Sequence, residues 1–95
     1  MAKFFTADSS AESRPISPAN GEKFTFEELY PILGCDTIEV VDLEDGRCLL
    51  IDENGKLTGK PLNDQATFEA VAAGALMESD FIAGHAVLCS GSQLR

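Results

Sequence analysis

The clearest pattern along the chain is a pair of apolar runs, each followed by an acidic turn that contains glycine. Residues 38–43 and 47–51 are rich in Val, Ile and Leu, which suit strands buried on at least one face. Asp45-Gly46 and Asn54-Gly55 follow these runs, and such pairs supply the positive φ angles of tight hairpin turns. We therefore predict a three-stranded antiparallel meander over about 37–59. Its strands are predicted at 37–43, 47–52 and 56–59.

The register of the first hairpin follows if Asp45-Gly46 is a two-residue turn. The predicted pairs are then Glu44 with Arg47, Leu43 with Cys48, Val41 with Leu50, and Glu39 with Asp52. One face would carry Val41, Leu43, Cys48 and Leu50, and the other Val40, Leu49 and Ile51. Because both faces are apolar near the turn, we expect a helix on one side and a loop, an arm or a second subunit on the other.

A short helix is predicted before the meander, over 26–33. Thr25 and Glu28 have the spacing of a capping box, in which each side chain accepts a hydrogen bond from the other residue's backbone N–H. Pro31 removes a backbone donor and crowds the preceding turn. Gly34 is a residue that ends helices, so we expect a short or kinked helix that stops there.

A second helix is predicted over 64–77, with Asn63 or Asp64 as its N-cap. Its apolar residues recur at helical spacing and predict one buried stripe. That stripe comprises Phe68, Val71, Ala72, Ala75 and Leu76. The remaining residues are small, which allows close approach to a sheet. A loop at 77–80 and a final strand over about 81–89 follow, with Gly84 as a bulge or close-contact point.

These elements predict a single α+β domain over 15–90, in which one short and one longer helix pack on a small antiparallel sheet. Residues 1–14 are expected to be a flexible segment or a short strand, with a mobile loop over 8–14. Residues 15–18 are expected to be extended, and residues 8–22 as a whole to form either the loop of an N-terminal hairpin or an ordered arm over the core. Residues 91–95 form a polar tail.

Charge narrows the classes of partner. Sixteen acidic residues against seven basic ones give a net charge of −9, which repels phosphate backbones and anionic membranes. We therefore expect no conventional nucleic-acid binding and no membrane binding.

The apolar start of the chain ends at Asp8, too soon for an export signal, so we expect a cytoplasmic protein. The three cysteines, Cys35, Cys48 and Cys89, are odd in number and widely spaced, with no CxxC motif, which fits reduced thiols.

The residues that could carry metal or nucleophilic chemistry do not form a known pattern. His85 and Cys89 would lie about 13 Å apart on a regular strand, too far to share one zinc ion. No Cys–His motif or GxSxG motif is present. We therefore predict no catalytic residue, metal or cofactor, and an enzyme that uses the carboxylates or the thiols ranks last among the functions.

Two acidic residues are candidates for ligand binding. In the predicted register Glu39 faces Asp52, and like charges in that position destabilise a sheet. Solvent, a lysine such as Lys56 or Lys60, or a bound cation or ligand would relieve the repulsion.

The order of these motifs resembles the domain-of-unknown-function family numbered 3846, over about residues 15–89. The matching residues are Ile38, Glu39, Asp45, Gly46, Asp52, Glu53, Gly55, Lys56, Asn63, Ala66, Thr67, Asp80, Ile82 and Gly84. Members of that family often have Gly-Gly before the Ile-Glu pair, whereas here Gly34 is followed by Cys35 and Asp36. The resemblance implies a small protein of a phage, plasmid or other mobile element, with no activity assigned.

Among the matching residues, Asn63 and Thr67 would lie on one helical face near an N-terminus, where free N–H groups can bind an anion with help from Lys56. Alternatively, Asn63 caps the helix and Thr67 bonds to its backbone. The speculative ligand-binding set is thus Glu39, Asp52, Lys56, Asn63 and Thr67.

Besides that last-ranked enzyme, three functions remain open. The first is a non-enzymatic module that regulates a process by contacting a host protein or a second copy, as in a homodimer. The second is a protein that sequesters a small ligand or nucleotide. The third is an acidic mimic of DNA charge.

Overall fold

A computed structural model describes residues 2–7, 13–43, 45–77 and 79–94. Within these ranges the chain forms one antiparallel sheet of five strands and two α-helices. The strands are β1 (Ala2–Phe5), β2 (Arg14–Ile16), β3 (Ile38–Asp42), β4 (Arg47–Asp52) and β5 (Ala86–Ser90). The helices are α1 (Phe26–Leu33) and α2 (Asp64–Ala72), and a 3-10 turn at Gly91–Gln93 follows β5. The predicted α+β class is confirmed.

The strand order in the sheet is β2-β1-β5-β4-β3. The predicted third strand of the meander, at 56–59, is wrong. A strand has two edges, and β4 uses one for β3 and the other for β5. Residues 53–59 instead form consecutive turns. The last strand also begins later than predicted, at Ala86, because Gly84 adopts a φ of 93° just before it.

The hairpin register differs from the prediction by one residue. Leu43 N donates to Arg47 O at 2.8 Å, so the hairpin closes on these two residues, which have three residues between them rather than the predicted two. Gly46 has a φ of 85°. Val40 consequently pairs with Leu50, and Val41 pairs with Leu49. Because side chains alternate between faces, a one-residue shift moves every β3 side chain to the face opposite the predicted one.

Helix α1 agrees with its prediction at both ends. Thr25 Oγ1 accepts from Glu28 N at 3.3 Å, and Glu28 Oε2 accepts from Thr25 N at 2.9 Å, which completes the capping box. Gly34, with a φ of 66°, follows the last turn, and Cys35 N donates back to Tyr30 O. Pro31 lies inside the helix.

Helix α2 is shorter than predicted and presents another face to the sheet. It ends at Ala72 because Gly74, with a φ of 74°, lets residues 74 and 75 donate to Val71 O and Ala70 O, the bonds of a Schellman ending. Ala66 and Ala70 are fully buried, whereas Phe68 is 70% exposed. The predicted stripe is therefore wrong, since the small residues face the sheet and let the helix approach it closely.

Each helix covers one face of the sheet. Leu29 and Leu33 of α1 pack with Cys48, Leu50 and other residues on one face. On the opposite face, Ala66 and Ala70 of α2 pack with Leu49, Ile51 and their neighbours. The sequence predicted a loop, an arm or a second subunit on the second face, but α2 packs there instead. Neither α1 nor α2, the α-helices of the described ranges, is both long enough and apolar enough to cross a membrane.

The N-terminal segment belongs to the sheet. β1 pairs with β2, so that Ala2 opposes Ile16, and also with β5, so that Lys3 opposes Leu88. Near the other end, the partly buried Leu94 packs against the core on the α1 face.

Some predicted features lie wholly or partly outside the described residues. They are the loop at 8–14, the Glu44–Arg47 pair, the loop at 77–80 and the end of the 91–95 tail.

Candidate functional site

An ion pair between Asp52 and Lys60 lies at the centre of the candidate site. The Asp52 side chain, at the end of β4, is 5% exposed, and its Oδ2 lies 2.6 Å from Lys60 Nζ. The same ammonium group donates to Gly34 O, at the end of α1, also at 2.6 Å. The Lys60 stem crosses Gly84, where an added Cβ would lie 3.1 Å from Lys60 Cδ. One side chain therefore ties together three parts of the fold.

Residues 53–60, which we call the Leu57 loop, are held by this pair and by their own backbone. Asp52 Oδ1 accepts from Asn54 N at 2.9 Å, and Lys60 N donates to Gly55 O at 2.9 Å. Gly55 is buried, and a Cβ there would lie 2.4 Å from Ala83 O. A glycine is therefore needed at position 55 because the loop approaches Ala83 closely. The positive φ predicted for Gly55 is wrong, since Gly55 is not one of the described glycines that have a positive φ.

A cleft of about 770 Å³ opens between the end of α1 and the Leu57 loop. Its walls combine apolar groups with a few polar ones. They are formed by Tyr30, Pro31, Gly34, Cys35, Asp36, Asp52, Asn54, Leu57, Thr58 and Lys60. Burial, followed by the nearby Asp52 carboxylate, raises the pKa of the Cys35 thiol. A raised pKa leaves the thiol protonated, which makes Cys35 a poor nucleophile at neutral pH.

A smaller groove of about 200 Å³ lies on the α2 side of the hairpin. Glu39, Asp52 and Lys56 all line it, but the Asp52 carboxylate itself pairs with Lys60 on the other side of the hairpin. The Lys56 ammonium pairs with Asp80 and lies 4.7 Å from the centre of the Phe81 ring. A hydrogen bond from Lys56, and then one from Phe81 N, lowers the pKa of Asp80.

The predicted opposition of Glu39 and Asp52 is wrong. In the observed register Glu39 pairs with Ile51, and Asp52 pairs with Ile38. The two carboxylates therefore point to opposite faces of the sheet. Glu39 is exposed, whereas Asp52 is satisfied by Lys60, one of the lysines considered for it. The repulsion that suggested a bound cation does not arise.

Asn63 is fully buried and connects three segments of backbone. Its Oδ1 accepts from Ala66 N at 3.0 Å, which caps α2. Its Nδ2 donates to Phe5 O at 3.0 Å and to Gly84 O at 2.9 Å. Every polar atom of the side chain is used within the fold.

Thr67 has a similar internal role. Its Oγ1 donates to Asn63 O at 2.7 Å and accepts from Ile82 N at 2.9 Å. Asn63 and Thr67 line neither the cleft nor the groove. The structure thus separates them from Lys56, and their geometry matches the capping alternative.

His85 and Cys89 are held in different surroundings. His85 Nδ1 accepts from Ala7 N at 3.1 Å, and its ring centre lies 5.3 Å from that of Phe4. Cys89 lies in the core beside Cys48. Over the ranges that the structure describes, no three His, Cys, Asp or Glu side chains are grouped so that they could hold a metal ion.

The sequence interpretation missed the main lining of the cleft. Tyr30 and Leu57 were not among the candidate residues, although Leu57 is the one large apolar residue between Gly55 and Gly59. A lone leucine in a glycine-bounded segment is a weak pattern. Its exposure of 86% depends on how the loop folds back to Asp52, which only the structure reveals.

Comparison with known proteins adds a family. Neither the curated proteins nor the solved structures contain a match to this chain. The family model described as "Domain of unknown function (DUF3846)" matches residues 4–93. This range extends beyond the segment over which the motifs resembled the family, and it takes in the last two residues of β1, the cleft and the groove. The chain therefore belongs to the DUF3846 family.

Proposed function

We propose that this protein is a non-enzymatic interaction module that binds a protein partner through the Leu57 loop and the adjoining cleft. The observation that carries the proposal is a firmly held loop that presents a large apolar side chain to solvent. The resemblance to proteins of mobile elements supports a regulatory role in which the partner is a host protein. The following features of the loop and its surroundings support this surface.

The first feature is preorganisation of the loop. Its backbone is fixed by the turn bonds, by the Asp52–Lys60 pair and by the burial of Gly55. A segment that is already ordered loses little conformational entropy when it binds, and more of its contact energy then appears as affinity.

The second feature is the exposure of Leu57. Its side chain is 86% exposed, next to a cleft that offers apolar walls. Burial of a leucine side chain contributes about 2 kcal/mol. Exposed single apolar residues are common in soluble proteins, but one held rigidly beside a concave surface has the properties of an interface anchor.

The third feature is charge. The chain carries −9 overall, and the cleft contains the exposed Asp36 together with the paired Asp52. Complementary charge steers association and selects partners. The expected partner segment therefore presents an apolar side chain flanked by lysine or arginine.

Photocrosslinking inside bacterial cells tests this surface. A photoreactive phenylalanine derivative is introduced at position 57 and, as a matched control, at position 68, where Phe68 is 70% exposed on α2. We expect a discrete adduct from position 57 that is absent from position 68. An adduct at twice the subunit mass identifies a second copy as the partner. Equal or absent adducts at both positions would contradict the proposal.

A second candidate function is the binding of a small ligand in the same cleft. The observation that favours it is the presence of Asn54, Thr58 and Lys60 among apolar walls, since ligand pockets combine these two kinds of surface. A nucleotide bound only to the folded protein would raise the thermal midpoint. Thermal-shift measurements with millimolar nucleotides test it, and Lys60→Met should remove any shift. No shift with any nucleotide would argue against this second function.

A further inference from the structure

Two cysteines in the core lie directly opposite each other on neighbouring strands. Cys48 of β4 pairs with Cys89 of β5 in the antiparallel register. Their Sγ atoms are 3.7 Å apart, and both cysteines are in the reduced state. The motif pattern of the sequence does not suggest this pair, because the two residues are 41 positions apart.

The Cα separation expected at this pair lies within the range of disulfides. Gly91 N donates to Gly46 O at 3.0 Å, so the alternation of an antiparallel ladder makes Cys48 and Cys89 a hydrogen-bonded pair. Such pairs have Cα atoms about 5.5 Å apart, within the roughly 4.4–6.8 Å range of disulfides. Opposite Cβ atoms in a ladder are about 4.5–5.5 Å apart, and those of a disulfide about 3.5–4.5 Å. Formation of the bond therefore requires the two side chains to rotate and the two strands to move slightly closer together.

We propose that Cys48 and Cys89 form a thiol–disulfide couple that reacts with small disulfides such as oxidised glutathione. One cysteine thiolate attacks the small disulfide and forms a mixed disulfide, which releases one small thiolate. The second cysteine attacks the protein sulfur of that mixed disulfide and releases the other small thiolate. Two electrons pass to the oxidant, and the two thiol protons end on the two small thiols, so the reaction balances.

Access to the pair depends on α1. Both cysteines are 1% exposed, and Leu29 and Leu33 of α1 cover the same face of the sheet. Burial and the adjacent Cys48 raise the pKa of Cys89 to about 12, which keeps its thiol unreactive in the closed protein. Reaction therefore requires α1 to move away from the sheet, and the Lys60 bond to Gly34 O opposes that movement.

Oxidation should stabilise the fold once it has occurred. The new bond closes a long loop between β4 and β5 and restricts the unfolded chain. For a domain of this size we expect the thermal midpoint to rise by on the order of 10 °C. Reduction with a thiol should return it to the starting value.

The test is incubation of the full chain in glutathione buffers, followed by alkylation and peptide mapping without reduction. Cys35→Ala is the main variant because it keeps the pair, whereas Cys48→Ala and Cys89→Ala each remove one partner. We expect wild type and Cys35→Ala to lose two hydrogens and yield the 48–89 linkage, with a raised midpoint. Lys60→Met, which weakens the hold on α1, should speed the reaction severalfold.

Two results would overturn the proposal. In the first, Cys35→Ala is exposed for a long time to oxidised glutathione, in urea just below its unfolding transition. If residues 48 and 89 are then fully alkylated, both have stayed reduced and the couple does not form. The other is a 48–89 linkage that lowers the thermal midpoint, because it would mean that the native strands do not accommodate the bond. Both results can be read from Cys35→Ala even if the other cysteine variants fail to fold.

Discussion

Replacement of Asn63 by alanine tests whether this residue serves the fold or a ligand. Asn63 is fully buried, caps α2 and donates to the carbonyls of Phe5 and Gly84. Loss of an N-cap costs about 1 kcal/mol. Each buried carbonyl left without its donor costs about 1 kcal/mol or more. We therefore expect Asn63→Ala to lower the free energy of unfolding by about 3 kcal/mol.

This loss is large for a domain of this size, whose total stability is expected to lie between about 5 and 14 kcal/mol. Urea unfolding followed by circular dichroism measures it. Asn63→Ser separates the contributions, because serine retains a capping oxygen but has no donor that reaches the two carbonyls. It should lose about 2 kcal/mol.

Asn20→Ala is the matched control for Asn63→Ala. Asn20 Oδ1 also accepts backbone bonds, from Glu22 N and Lys23 N, but at an exposed turn. Its replacement should cost about 0.5 kcal/mol. An Asn63→Ala protein as stable as the Asn20→Ala protein would refute the assignment of Asn63 to the fold and return it to the ligand-binding set.

Three further predictions concern the ion pair, the first helix and the second helix. Lys60→Met leaves Asp52 buried without its cation and should lower the free energy of unfolding in urea by about 2 kcal/mol. Adding Asp52→Asn should recover part of that loss, and the absence of any recovery would contradict the pairing. Hydrogen bonds from Thr25 N and then Ala19 N lower the pKa of Glu28 below 4.5, so the stability they give is present above pH 4.5 and is lost as the pH falls through the folded-state pKa. Stability measured between about pH 5 and pH 3 should therefore fall more steeply for wild type than for Glu28→Gln, which keeps the cap without the titration. Phe68→Ala should change stability by less than about 0.5 kcal/mol, whereas Ala70→Leu should cost about 2 kcal/mol; the reverse order would restore the predicted stripe.

The features that could be predicted from the sequence are the local ones. The capping box between Thr25 and Glu28 and the left-handed Gly34 define α1 through contacts within ten residues. The existence of the β3–β4 hairpin and the N-cap role of Asn63 are local in the same sense. Each depends on backbone groups that the neighbouring residues themselves satisfy, so the pattern contains the needed information.

The features that were missed depend on distant parts of the chain. β5 occupies the edge of β4 that the predicted third strand would have used, and only the pairing of distant residues reveals this. The face that α2 buries is set by close approach to the sheet, which favours Ala66 and Ala70 over the larger Phe68. The cleft arises because Lys60 reaches both Asp52 and Gly34, and no spacing in the sequence encodes that contact.

The position of β5 has a consequence for how the protein is made. β5 is the last strand along the chain, yet it joins β1, the first, to β4. Contacts between residues so far apart in sequence slow folding. During synthesis the β3–β4 hairpin emerges from the ribosome while one edge of β4 is still unpaired. The two parts of the sheet can join only after residues 86–90 have also emerged. We therefore expect nascent chains that stop short of residue 86 to need protection from chaperones.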